Sequence, residues 1–154
     1  MTIDKQTRYA ELAQELGGLL EGERDWIANL ANTAALIYHG LPDLNWAGFY
    51  LLPEGADELV LGPFQGKPAC VRIKVGAGVC GTAVARGASV VVADVHAFPG
   101  HIACDAASRS ELVVPLRREG RIQGVLDLDS PLPARFDEAD RAGCERLVAI
   151  LTAL

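Results

Sequence analysis

The apolar pattern of this chain changes period twice, and that change limits the fold more than any other feature. Over residues 1–41 it is helical. Ala10, Leu12, Ala13, Leu16, Leu19 and Leu20 recur at helical spacing, and Gly17, Gly18 and Gly22 punctuate the end. A second run from Trp26 to Tyr38 keeps the same period until Gly40 and Pro42 stop it. From Asn45 the pattern becomes that of strands: Asn45–Leu52, Leu59–Phe64, Cys70–Val75, Val90–Ala93, Glu111–Leu116 and Arg121–Leu128. A short helix is expected at Cys80–Arg86, and Asp94–Ser110 reads as a long loop. The helical period returns at Asp137–Leu154. The expectation is one α+β domain over residues 1–154, with helices packed on one face of a central antiparallel sheet of about six strands.

Composition narrows the function. At 154 residues with 50% hydrophobic content, the chain can build a core without staples. The formal net charge of −6 offers no footprint for nucleic acid or anionic membranes. No apolar run approaches the ~18 residues of a membrane span. Met1–Gln6 lacks the basic and apolar regions of a signal peptide, so a cytoplasmic location is expected. In that compartment Cys70, Cys80, Cys104 and Cys144 are core filler, metal ligands or redox groups rather than a disulfide framework.

The final hairpin concentrates acid. A three-residue loop, Arg118-Glu119-Gly120, with Gly120 in the left-handed position of a bulge, pairs Leu112 with Leu126 and Glu111 with Asp127. That register gives one apolar side. Asp129 follows Asp127 by two, so Glu111, Asp127 and Asp129 share a face. Such a cluster is a solvated strand end, a site for a cationic ligand group with one carboxyl kept protonated, or a hard-metal site. Trp46 and Tyr50 share a face of the first strand with Gly48, which reads as core or as an aromatic wall with room beside it. Cys104, near His101 in a small-residue loop, is a candidate thiolate, while Cys144 among Leu147, Val148 and Leu151 reads as core. His96 and His101 read first as loop-structuring residues, and His39 as a surface residue at a helix end. Zinc is the competing use of the cysteines, but no C-x-x-C pair is present.

The stretch QGKPACVRIKVGAGVCGTAVARGASVVVADVHAFPGHIACDAAS, with SELVVPL, GVLDLDS and NWAGFYLL, resembles the GAF-domain free methionine-(R)-sulfoxide reductases. The resemblance runs over about residues 24–154. It implies a GAF fold, with a pocket under loops on the sheet face away from the helices. It implies reduction of the free amino acid's R sulfoxide, with no metal or organic cofactor. By the same resemblance Cys104 is the attacking cysteine, and Cys70 and Cys80 are redox partners, either of which resolves. Glu111, Asp127, Asp129, Trp46 and Tyr50 are the substrate-binding residues, and thioredoxin is the reductant. A homodimer through the N-terminal helices is compatible with the pattern. The rival reading is a non-enzymatic GAF sensor of a small molecule or of redox state.

Overall fold

The computed structural model describes residues 4–101 and 105–153. Two helices open the chain: α1 (Lys5–Leu20) and α2 (Trp26–Gly40). Each is started by an aspartate whose side chain accepts a backbone N–H three residues on, Asp4 from Thr7 at 2.9 Å and Asp25 from Ala28 at 2.8 Å. Strands β1 (Trp46–Leu51), β2 (Glu58–Gly66) and β3 (Arg72–Lys74) follow. Helix α3 (Gly78–Arg86) leads to β4 (Val90–Val92), and the hairpin β5 (Ser110–Arg118) and β6 (Arg121–Ser130) to α4 (Glu138–Thr152). The six strands form one sheet in the order β3-β2-β1-β6-β5-β4, with every pairing antiparallel.

The sheet separates two cores. Alternate residues Ala47, Phe49, Leu112, Leu126 and Leu128 meet α1, α2 and α4 on one face. Trp46, Tyr50, Val113 and Val125 point the other way, onto α3. Strand periodicity alone produces this division, because successive side chains leave a strand on opposite sides. The helical layer is therefore on one face for three helices, and α3 alone packs across the sheet. On α1 the buried set is Tyr9, Leu12, Ala13, Leu16 and Leu20. Leu19 stays 45% exposed, so the apolar stripe is narrower than its spacing predicts and Tyr9 completes it.

The hairpin corrects the expected register. The turn is two residues, Glu119 and Gly120, with Arg118 opposite Arg121. Both turn residues have positive φ, 55° and 78°, which suits the twist of a tight hairpin. The pairing then shifts between Leu116 and Arg117, because Gln123 is an extra residue on β6. Beyond the bulge Leu112 faces Leu128, Glu111 faces Asp129 and Val113 faces Asp127. The expected pairs are thus displaced by two residues, while the division into faces is unchanged.

Candidate functional site

The pocket lies on the α3 face, where β1, β5 and β6 present their alternate residues. Asp129 and Asp127 stand opposite Trp46 and Gly48 across the β1–β6 pair. Glu111 and Asp127 are 6% and 5% exposed, and Asp129 is half-buried. Across the cavity stand Cys80 and Val79 from α3, His101, Asp105 and Ser108 from the loop segments, and Pro68 and Ala69. No lysine or arginine lines this cavity among the described residues.

Local sequence explains how these groups meet. Gly78 begins α3 at φ 61°, a left-handed conformation open to glycine. A side chain at Gly81 would collide with the Lys74 carbonyl, so glycine there lets α3 lie against the end of β3. That approach places the Cys80 Sγ and one carboxylate oxygen from each of Glu111 and Asp127 within 4.8 Å of one another. On the opposite wall the Trp46 ring stacks between Tyr50 and Phe64, at centroid distances of 5.9 and 5.2 Å. Its indole N–H donates to the Lys67 carbonyl at 3.1 Å, and the Tyr50 hydroxyl donates to the Cys70 carbonyl at 2.8 Å. Both aromatics are therefore fixed by their polar ends. Gly48 does not leave space for a ligand as its spacing suggests. A Cβ there would overlap the Cβ and Cα of Phe64 on the neighbouring strand, so that residue's stem takes up the space.

The electrostatics are unusual for a protein interior. Burial raises the Glu111 pKa well above 4.5, and the neighbouring Asp127 and Asp129 charges raise it further. Burial likewise lifts Asp129 well above 3.8, with Asp127 adding to it. Burial also raises Asp127, but less simply, because hydrogen bonds from Glu111 and Cys80 favour its charged form. The Asp127 Oδ1 atom nevertheless has no hydrogen-bond partner. Burial and the carboxylates hold Cys80 as a thiol, far above the ordinary cysteine range. His101 is pushed down by burial and by His96, whose ring lies 6.3 Å away. Its neutral form is favoured.

The structure brings Trp46, Tyr50, Cys80, Glu111, Asp127 and Asp129 to one cavity. Cys70 is a half-cystine, Cys80 and Cys144 are free thiols, and Cys104 lies outside the described residues. Cys144 sits in the other core, completely buried, with its sulfur 3.7 Å from the Tyr9 hydroxyl. His39 is exposed, as its position at a helix end suggests. Sequence reasoning passed over Asn45, Asp105 and Ser108. Asp105 adjoins Cys104 and was open to notice; Asn45 gave no signal.

Residues 27–153 match the family model described as GAF domain. The chain is 56% identical to the free methionine-R-sulfoxide reductase of Escherichia coli, over 97% of this chain and 89% of that one. It is 40% identical to the reductase of the same name from Saccharomyces cerevisiae, over 97% and 86%. An X-ray structure of free methionine-R-sulfoxide reductase from Neisseria meningitidis in complex with its substrate superposes with a TM-score of 0.95 at 50% identity, covering 99% of this chain and 91% of that one. With two buried carboxylates and a half-buried third under an aromatic wall, on the sheet face away from the main helical layer, the chain belongs to the GAF-domain free methionine-(R)-sulfoxide reductases.

Proposed function

We propose that this protein reduces free L-methionine-(R)-sulfoxide to methionine, using cysteine thiols. The observation that carries the reading is the Asp127 carboxylate, buried, with Oδ1 unpartnered, in a cavity whose lining holds three further carboxylates and no lysine or arginine. Such an atom is seldom kept without a water, an ion or a ligand group to complete it, and this one faces a cavity. The ligand it calls for is a cation small enough for the cavity. The α-ammonium group of a free amino acid meets that need, and a peptide nitrogen does not. Trp46 then supplies an apolar wall for the methyl and methylene groups.

The same trio supplies the acid. Burial and the neighbouring Asp127 and Asp129 charges both disfavour ionisation of Glu111, so Glu111 is the carboxyl assigned the proton. Placed near the sulfoxide oxygen, it makes the sulfur electrophilic. Cys104 as thiolate attacks that sulfur. The oxygen passes to Cys104 as a sulfenic acid and the substrate sulfur leaves as the thioether, two electrons having moved from cysteine to substrate. The Cys70 thiol then attacks the sulfenic acid, a disulfide forms and water leaves. Two features favour Cys70 over Cys80 as the resolving residue. Cys70 is a half-cystine, whereas Cys80 is a free buried thiol held protonated beside carboxylates. An external dithiol such as thioredoxin resets the enzyme by exchange.

A stoichiometric reaction without reductant tests this. Reduced protein mixed with the R sulfoxide is expected to yield one methionine and lose two thiols per chain, with Cys80 and Cys144 still alkylatable after denaturation. Absence of methionine overturns the reading. Loss of Cys80 with Cys70 intact moves resolution to Cys80.

A further inference from the structure

The segment that follows Cys104 is tied to the carboxylate floor by one side chain. Asn45 stands just before β1, where its backbone N–H donates to the Asp129 carbonyl at 3.0 Å. Its Nδ2 donates to Asp105 Oδ2 at 3.0 Å and also contacts Ser108 Oγ at 3.1 Å. Asp105 and Ser108 both line the cavity. Their own turn is closed by Ala107 N–H to Asp105 Oδ1 at 2.9 Å and by Ser108 N–H to the Asp105 carbonyl at 3.2 Å. The amide orientation is fixed, because its nitrogen faces two acceptors. The cost is that Asn45 Oδ1 is buried with no partner.

We propose that Asn45 is a positioning residue, whose amide locks the turn after Cys104 to the strand beside Asp129 and so holds nucleophile and acid in register. This rests on the functional reading above. Asn45 does not line the cavity among the described residues, so it acts through Asp105 and Ser108. The lock joins residues 60 and 63 positions apart in sequence, so no local preference replaces it. Its chemistry is directional: a donor must face Asp105. An aspartate of the same shape at position 45 sets one carboxylate against another.

The test is single-turnover kinetics on Asn45→Ala, Asn45→Asp and the exchange Asn45→Asp with Asp105→Asn. For Asn45→Ala the rate of methionine formation is expected to fall on the order of 10- to 100-fold, as for a reacting group displaced by about 1 Å, with substrate affinity within about threefold. Asn45→Asp falls further. The exchange, which restores a donor facing an acceptor, recovers at least about tenfold over Asn45→Asp. A purely structural role predicts that Tm follows this series while the single-turnover rate of the folded protein does not. Hydrogen exchange at residues 105–109 is expected to accelerate in Asn45→Ala while β1 and β6 stay protected. A rate for Asn45→Ala within twofold of wild type, or an exchange no better than Asn45→Asp, overturns the proposal. A wild type inert toward the sulfoxide overturns the functional reading and the kinetic half of this one. Unchanged hydrogen exchange in Asn45→Ala overturns the lock itself.

Discussion

Asp140 and Asp127 are buried to nearly the same degree, 0% and 5% exposed, in the two cores that the sheet separates. Their surroundings are opposite. Asp140 Oδ1 accepts from the Tyr9 hydroxyl at 2.8 Å and from Arg135 at 3.3 Å. Its Oδ2 accepts from Lys5 at 2.6 Å and from the Asp137 N–H at 2.9 Å. Every lone-pair direction is used, and the groups that use them come from α1 and from the segment before α4. Asp127 has other carboxylates for neighbours, a thiol, and one oxygen with nothing. The first aspartate is completed by the fold and holds it together. The second is left incomplete by the fold, and under the proposed function its free oxygen is where the substrate's ammonium group binds. Burial alone distinguishes nothing between them; the partners do.

Breaking the incomplete site should cost the most in function. Asp127→Asn keeps the shape but removes the charge that the trio organises. Its kcat/KM is expected to fall by about 10³-fold, with Tm at or above wild type, read by turnover and thermal melts. Breaking the complete site should reverse that pattern. Asp140→Ala leaves Arg135 and Tyr9 buried without this acceptor and removes one half of the capping box of α4. It is expected to destabilise by about 3 kcal/mol in a denaturant titration, with kcat/KM within twofold of wild type.

pH separates the two sites further. The Glu111 pKa lies above its ordinary value of 4.5, so the folded chain binds a proton that the unfolded chain has released. Its contribution is whole below 4.5 and is lost as pH rises toward the folded value. Glu111→Gln should remove that slope and stabilise the substrate-free protein by about 1 kcal/mol at neutral pH, while impairing turnover. Denaturant titrations across pH 4–8 check it. The smallest effect is expected at Cys144. Burial pushes its thiol up to about 12, so it is inert, and Cys144→Ala should cost about 1 kcal/mol or less with full turnover.

The sequence carried the division of faces but not the register. Glu111, Asp127 and Asp129 fall on one side in either register, because the two differ by an even number of residues. Polarity is blind to such a slip, and the extra residue at Gln123 that selects the true pairing leaves no mark on the alternation. The helical layer was legible from period. The placement of α3 across the sheet was not, since nine residues with glycines at 78 and 81 carry too little amphipathic signal. Gly48 misled for a related reason: a glycine between two aromatics on one strand face reads as room, and only packing shows Phe64 filling it. The Asn45 lock joins positions 60 residues apart and has no local pattern at all.

The proposed selection of a free α-ammonium group on an R sulfoxide rests on the incomplete carboxylate site. Turnover coupled to thioredoxin and NADPH recycling tests it most directly, with free L-methionine-(R)-sulfoxide, its S epimer and the N-acetylated R sulfoxide side by side. NADPH oxidation with the free R form, and with neither of the others above about 1% of that rate, is the expected result. Equal rates with the N-acetylated form, or silence with all three under dithiothreitol as well, would contradict it.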